Sequence, residues 1–340
     1  MKLNFETSVE QIREVNQDRK YWFVRTYSGE LFTDFVEKKY IGIGFNEVPM
    51  NYLSNADLEN DFSKKPLKEF IENNTDYEKG EATKWANQLI SFNKSVKIGD
   101  IVVIPSKNSS DLAIGVIESG IYLTEEPGNF WFGEKYESYP EKRRKVSWQL
   151  IKPRGFFRND LNSVFNTRQA ISNIDDLGNT IEGYLSNVFK KGERTYLTLL
   201  VNRDEDINAY YFRDFLDSLT FFYSEICKEL DKEVNDERLF IKIKVQSKGK
   251  VALWAISSIG VLSLGIITMM AKNPQIKIEL GQHIKLDAQS DGLLPAISDF
   301  LDKKQERTIQ LEKFRRSMEE LEIKDSTDVL EEEIPNQSQK

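Results

Sequence analysis

Short runs of β-branched, aromatic and other apolar residues recur through the first half of the chain, separated by glycine, proline and serine. The runs are Tyr21–Tyr27, Tyr40–Phe45, Ile101–Ile104, Leu112–Ile117 and Arg143–Trp148. Runs of this length and composition predict short strands. Between them, the apolar residues of 66–93 recur at helical spacing. The pattern predicts a small mixed β-barrel with a helical insertion, which belongs to the α+β class.

A strand–helix–strand pattern follows over residues 195–245. Residues 210–230 place their large apolar side chains along one face of a helix, as in helices that pack on a core. Residues 239–245 then alternate apolar side chains with lysines, which indicates a strand. We therefore expect a compact α/β unit over residues 195–290, interrupted by the segment 251–271.

The segment 251–271 contains no charged residue. As one helix it would span roughly 30 Å, the thickness of a bilayer core. The sequence thus predicts a long hydrophobic helix that anchors the chain in the cell membrane as a single-pass protein. The lysines on either side favour a cytoplasmic N-terminal domain. The alternative is a cytoplasmic protein in which this helix is buried within the fold or at an oligomer interface.

Beyond this segment, residues 275–280 and 283–287 alternate as two short strands, and residues 291–324 predict a charged helix. Leu311, Phe314, Met318 and Leu321 recur three and four residues apart, a spacing that suits either a coiled-coil seam or packing on the same domain. Residues 325–340 are acidic and polar, so we expect a disordered tail.

Composition excludes several classes of site. The 340 residues include 47 Lys and Arg and 55 Asp and Glu, which gives a net charge of −8. A net negative charge disfavours nonspecific binding of nucleic acid over the whole surface. With one cysteine, Cys227, and one histidine, His283, the chain cannot form an internal disulfide or a zinc site of the usual Cys/His type. We expect no metal site and no cofactor. The best acidic cluster, residues 204–206, is the only support for an enzyme such as a nuclease, and no catalytic motif accompanies it.

The first half also carries an ordered series of short motifs. They are Tyr21-Trp22-Phe23-Val24-Arg25-Thr26, Gly42-Ile43-Gly44-Phe45-Asn46-Glu47, Lys97-Ile98-Gly99-Asp100-Ile101-Val102-Val103, Ile114-Gly115-Val116-Ile117 and Arg143-Arg144-Lys145-Val146-Ser147-Trp148. This series resembles the PUA/EVE-like domains found at the N-terminus of bacterial restriction and anti-phage proteins. The resemblance covers about half of the chain. It implies a ligand-binding domain over residues 18–190, a small β-barrel whose pocket holds a modified or flipped base between aromatic walls.

A base taken out of its stack needs aromatic faces, a few donors and acceptors, and cations near its phosphates. The candidates for the aromatic walls are Trp22, Phe45 and Trp148. Those for the polar edge are Arg25, Thr26, Asn46 and Ser106. Those for phosphate contact are Arg143, Arg144 and Lys145. Each group has a structural alternative, because tryptophans on strands are commonly core residues and a basic run is commonly a solvated rim.

Two functional hypotheses follow. In the first, the protein is a non-enzymatic anti-phage-type sensor or effector. Its barrel binds a modified nucleic-acid base or a nucleotide, and residues 251–271 anchor it in the membrane or perturb the bilayer when subunits cluster. In the second, it is a soluble nucleic-acid-binding module that oligomerises through the same helix. Both hypotheses predict a homo-oligomer with a nucleic-acid or nucleotide partner.

Overall fold

The structure is a computed structural model that describes residues 12–75, 77–124, 128–157, 159–203, 205–229, 238–244, 249–272 and 293–324. The predicted strands at 275–280 and 283–287, the acidic tail 325–340, His283 and Asp204 lie outside these residues. The described residues form two compact units. The first unit is Asp18–Asn179, and the second combines the residues before 18 with those after 179.

The strands, in chain order, are β1 (Arg13–Val15), β2 (Tyr21–Val24), β3 (Tyr40–Ile43), β4 (Ile101–Pro105), β5 (Asp111–Ile117), β6 (Tyr122–Leu123), β7 (Asn129–Phe132), β8 (Lys135–Ser138), β9 (Lys142–Pro153), β10 (Ile171–Asn173), β11 (Val188–Lys191), β12 (Arg194–Val201), β13 (Phe240–Lys244), β14 (Gly249–Ala255) and β15 (Ile323–Lys324). The α-helices are α1 (Phe32–Glu37), α2 (Met50–Asn55), α3 (Asp61–Asn74), α4 (Lys79–Ile90), α5 (Gly178–Leu185), α6 (Ala209–Glu229), α7 (Ser258–Lys272), α8 (Leu293–Asp302) and α9 (Gln305–Glu320). Short 3-10 turns lie at Lys107–Ser109, Arg154–Phe157, Asn162–Asn166 and Asp175–Leu177, and a π turn lies at Ser91–Ser95.

The first unit is built on a sheet with the strand order β10-β2-β4-β5-β9-β3, curled into a half-barrel. The strands β2 and β4 are parallel and the other pairs are antiparallel. On β9, Gln149 has no partner on β5, because Ile114 pairs with Leu150 and Gly115 with Trp148. Such a bulge bends the long strand, whose first four residues pair with β3 and the rest with β5. The α+β class is confirmed.

The second unit has a sheet with the order β1-β11-β12-β14-β13, and β15 pairs with the end of β12. Residues 180–190, which the sequence assigned to the first domain, belong here because β11 pairs with β12. The helices α6, α7 and α9 pack on one another. Their apolar faces share a core with Leu197, Leu199 and Leu253 of the sheet.

The prediction of one hydrophobic helix over residues 251–271 is wrong. The run contains most of β14, a turn and all but the last residue of the 15-residue helix α7. The strand β14 lies between β12 and β13, and α7 buries Val261, Leu264 and Ile267 completely, so the run lacks charge because protein surrounds it. Among the residues described, no helix combines the length and apolarity that a membrane crossing requires. Oligomerisation through this segment, the alternative hypothesis, stays a prediction.

The predicted charged helix over residues 291–324 is also two helices, α8 and α9, followed by β15. The residues of the supposed seam, Leu311, Phe314, Met318 and Leu321, are buried in the core of the same unit. The ring of Phe314 lies 5.7 Å from that of Phe215 and 5.9 Å from that of Phe222, both on α6. The spacing of three and four therefore reflects packing on the same unit.

Candidate ligand-binding site

Trp22, expected as an aromatic wall, is part of the core of the first unit. It is 7% exposed, and its Nε1 donates to Oδ2 of Asp100 at 2.9 Å. Asp100 is itself buried and also accepts from the backbone nitrogens of Lys20 and Lys97, at 3.0 and 2.9 Å. The carboxylate thus ties the start of β2 to the turn before β4. Both the face and the polar edge of this indole are used inside the protein.

The loop after β2 is fixed to the β4–β5 hairpin. Thr26 is 1% exposed and its hydroxyl donates to the carbonyl of Pro105. Gly29 has φ of +97°, and a Cβ there would overlap the backbone of Lys107. Nζ of Lys107 in turn lies 2.9 Å from a carboxylate oxygen of Glu30. Thr26 therefore holds two loops together and does not offer its hydroxyl to a ligand.

Arg25 and Ser106 also have partners within the protein. The Arg25 guanidinium donates to the carbonyls of Phe165 and Thr167. The Ser106 hydroxyl accepts from the backbone nitrogen of Asp111 at 2.8 Å, and it lies 2.9 Å from the hydroxyl of Ser110. Arg25 therefore holds the segment before β10 in place, and Ser106 closes the β4–β5 hairpin.

Asn46 and Trp148 stabilise the segments around β9. The Asn46 amide donates to the carbonyl of Tyr139 at 2.9 Å and accepts from the backbone nitrogen of Glu141 at 3.0 Å. Trp148 is half-buried, and its Nε1 donates to the carbonyl of Phe35 at the middle of α1, at 3.0 Å. Asn46 lies beside the aromatic cluster described below, but its amide is already used.

The basic run at the start of β9 alternates between interior and surface. Nζ of Lys142 donates to the carbonyl of Phe45 at 2.6 Å, and burial lowers its pKa. Arg144 is 2% exposed and donates to the carbonyls of Phe92, Ser119 and Asn93. Burial lowers the pKa of Arg144 to about 10. Successive side chains on a strand point to opposite faces, so Lys142 and Arg144 share the buried face, where they bind carbonyls of the protein.

The other two cations of the run differ from each other. Arg143 lies over the ring of Tyr40 at 4.2 Å and donates to the carbonyl of Pro140. The side chain of Lys145 is exposed. Among the residues described, it has no carboxylate partner. Of the three predicted phosphate contacts, Lys145 alone combines exposure with an unpaired charge.

A cluster of three aromatic rings lies at one end of β3. We call Phe45, Tyr77 and Trp85 the aromatic cluster. The centroid of the Phe45 ring lies 4.7 Å from that of Trp85 and 5.9 Å from that of Tyr77, and the last two are 6.3 Å apart. Tyr77 is 38% exposed and the other two rings are half-buried. Phe45 and Trp85 also pack against the core of the first unit, so the three rings form a partly exposed aromatic patch at the edge of that core.

A second aromatic group adjoins the cluster through Gly44. The hydroxyl of Tyr27 lies where a Cβ on Gly44 would stand, and its ring makes edge contacts with Phe130 and Phe132 of β7 at 5.3 and 5.9 Å. Burial first, and then the charges of Glu137 and Glu47, raise the pKa of Tyr27 far above its usual value. Its phenol stays protonated, and the two carboxylates make this side of the site negative.

The structure therefore places one of the predicted aromatic walls, Phe45, in the aromatic cluster, and gives the other two structural roles. Sequence reasoning missed Tyr77 and Trp85. Both residues lie within the stretch 66–93 that was predicted as helical, and the helical spacing of Trp85 indicated core. In the structure Tyr77 lies between α3 and α4. Neither residue carried a signal that separates a ligand-facing ring from a packed one.

In the part of the chain that the structure describes, the remaining candidate side chains do not form a site. Cys227 is buried in the core of the second unit. Within the described residues, no group of three or more His, Cys, Asp or Glu side chains is placed to hold a metal ion.

Comparison with known proteins bears on the first unit. No curated protein gives a significant match to the chain. Residues 20–171 match a family model described as a domain of unknown function, DUF8426. The matched residues run from the start of β2 to the first residue of β10 and contain the whole aromatic cluster.

Proposed function

We propose that the first unit is a non-enzymatic recognition module that binds a planar base, a modified nucleobase or a nucleotide, against the aromatic cluster. The observation that carries the proposal is the grouping of Phe45, Tyr77 and Trp85 within 6.3 Å of one another with part of each ring accessible. Stacking on aromatic side chains is the main interaction by which proteins hold an unpaired base. The resemblance to PUA/EVE-like domains supports the same ligand class.

The charges around the cluster orient such a ligand. Glu47 and Glu137 lie on the side of Tyr27 and disfavour a phosphate there. Exposed Lys145 pairs with Tyr40 at the start of β3, five residues before Phe45, so it suits a phosphate of a neighbouring nucleotide and not that of the stacked base. The base would then stack on the cluster while the strand runs along β3 toward Lys145.

Binding of short oligonucleotides to the full chain tests the proposal. Single-stranded 12-mers with one central N6-methyladenine, 5-methylcytosine or 5-hydroxymethylcytosine are compared with the unmodified strand. Trp85→Ala and Tyr77→Ala should each lower the ratio of the affinities for the preferred modified strand and the unmodified strand about fivefold or more, as loss of one stacking partner does. Phe62→Ala is the control, because Phe62 is 87% exposed in the same unit and outside the cluster. An equal ratio in all three variants would contradict the proposal.

A sensor role of the kind found in restriction and anti-phage proteins is part of the proposal, and it rests on the resemblance alone. Homo-oligomerisation is retained as a prediction. Light scattering of the full chain with and without the preferred oligonucleotide tests it, and a monomer under both conditions would contradict it.

A further inference from the structure

A row of aromatic side chains crosses the sheet of the second unit. The register pairs Phe189 with Tyr196, Tyr196 with Trp254, and Trp254 with Phe240. Residues directly opposite each other on neighbouring strands share one face of the sheet. This face is opposite the one that packs on α6 and α7, because Leu197 and Leu253, the residues next to Tyr196 and Trp254, lie in the helix-covered core.

The row ends in a stack at the sheet edge. The rings of Phe240 and Trp254 are 3.9 Å apart and within 7° of parallel, and the Arg194 guanidinium lies 4.1 Å from the centroid of the Trp254 ring. Phe240 is 40% exposed on β13, which is the last strand of this sheet in the part of the chain that the structure describes. One face of the Phe240 ring packs on Trp254. Among the residues described, Phe240 has no second ring packed on it, and with 40% of its area exposed it can accept a further flat ring at the end of the stack.

Cations accompany the row. Arg194 and Lys242 are exposed and project from the same face as Trp254 and Phe240, since they stand two residues from Tyr196 and Phe240 on their strands. Among the residues described, neither has a carboxylate partner. The far end of this face is closed, because Nζ of Lys250 lies 3.9 Å from the Tyr184 ring and donates to the carbonyl of Thr180 on α5.

We propose that this open end of the sheet, formed by Arg194, Lys242, Trp254 and Phe240, binds single-stranded nucleic acid. A base stacks on Phe240 and extends the column of Arg194, Trp254 and Phe240, while the two cations pair with phosphates. A sheet surface that combines aromatic rings with unpaired cations suits unpaired strands, whose base faces are free. A duplex hides those faces. The site is separate from the aromatic cluster of the first unit.

The test uses the full chain and fluorescein-labelled 12-mers of oligo(dT), oligo(U) and a duplex of unmodified DNA, measured by fluorescence anisotropy. The unmodified single strands should bind more tightly than the duplex, and the ratio of the dT and U affinities identifies the preferred sugar. Phe240→Ala should weaken binding about tenfold. Arg194→Ala should make the slope of log K against log salt shallower by about 0.7.

Ile243→Ala is the matched control for Phe240→Ala, because Ile243 is 43% exposed on the same strand but pairs with Val251 on the other face. It should bind as the unchanged chain does. Trp85→Ala should also retain this binding, which separates the inference from the proposal for the first unit. Equal affinity for strand and duplex would overturn the inference, as would equal loss in Phe240→Ala and Ile243→Ala. If Phe240→Ala does not fold, an unchanged salt slope in Arg194→Ala overturns it.

Discussion

The indole nitrogen of Trp22 donates to the buried carboxylate of Asp100 at 2.9 Å, across 78 residues of sequence. The same carboxylate accepts two backbone nitrogens, so it organises the parallel pair β2–β4. A tryptophan that resembled the wall of a binding site is thereby part of the framework. The proposed site consists of other rings, Phe45 after β3, Tyr77 before α4 and Trp85 on α4.

Trp22→Phe should keep the ring packing and lose one hydrogen bond to a charged group. The free energy of unfolding should fall by about 1.5–3 kcal/mol, measured by urea denaturation, while oligonucleotide affinity stays unchanged. A variant of unchanged stability that loses binding would show that the indole contacts the ligand.

Gly29→Ala and Gly99→Ala form a matched pair. Both glycines have positive φ, +97° and +91°, but a Cβ on Gly99 meets nothing within 4 Å whereas one on Gly29 overlaps the backbone of Lys107. Gly99→Ala should cost about 1–2 kcal/mol for its conformation alone. Gly29→Ala should cost at least about 2 kcal/mol more, because two loops must separate. Equal losses in chemical denaturation would mean that these loops are not docked.

Substitutions of Arg144 and Lys145 should affect different properties, stability in the first case and oligonucleotide binding in the second. Arg144→Ala leaves three carbonyls without their donor and should lower the free energy of unfolding by roughly 3 kcal/mol. Lys145→Ala should leave stability unchanged and make the salt dependence of oligonucleotide binding shallower by about 0.7. Urea denaturation and binding at several salt concentrations measure both. A stable Arg144→Ala protein with weakened binding would reverse the assignment.

Glu225 on α6 should make the second unit sensitive to acid. Burial alone would raise its pKa, but hydrogen bonds from Lys228, Lys304 and Arg307 lower it to about 2 from 4.5. Because the folded pKa lies below the unfolded one, this contribution is complete above pH 4.5 and is lost as the pH falls toward 2. It amounts to about 3 kcal/mol.

Glu225→Gln should flatten the dependence of unfolding free energy on pH in that window. Asp217→Asn, on the same helix with a side chain that is 65% exposed, should leave it unchanged. Thermal or urea unfolding between pH 2.5 and 6 provides the measurement. The same slope in the Glu225→Gln protein would contradict the assignment.

Local pattern predicted the strands of the first unit well. Three of the five predicted runs begin at the first residue of β2, β3 and β4, and the other two begin one residue after the start of β5 and β9. In β2, β3, β4 and β5 most residues are β-branched, aromatic or otherwise apolar and nearly every position is buried, whereas β9 alternates between buried and more exposed residues. Such runs are strands in most environments. The half-barrel follows from how these strands pair, which the alternation alone does not specify.

The uncharged run at 251–271 shows where the pattern was insufficient. A central strand and a buried helix are both apolar throughout, and here they follow each other with only Ile256 and Ser257 between them. The two elements together form one uncharged stretch, which is as long as a membrane-spanning helix. The turn was marked only by Ser257, whose hydroxyl accepts from the backbone nitrogen of Gly260 at the start of α7.

The site was predicted less well than the fold because its residues are set by long-range contacts. Trp22, Thr26 and Arg144 have partners that are tens of residues away, and nothing in their neighbourhood in the sequence indicates that their polar atoms are used. Phe45 and Trp85 are 40 residues apart in the sequence, and only the tertiary structure brings their rings into contact. Composition showed that aromatic residues were plentiful, and the tertiary structure determined which of them are accessible.

The most direct test of the proposed site is fluorine NMR of the full chain labelled with 5-fluorotryptophan. The sequence contains five tryptophans, and their signals are assigned from single Trp→Phe variants. Titration with the preferred modified-base oligonucleotide should shift the signal of Trp85 and leave those of Trp22 and Trp148 in place. A shift of the Trp22 or Trp148 signal with the Trp85 signal unchanged would contradict the account, because it would place the ligand beside β2 or β9.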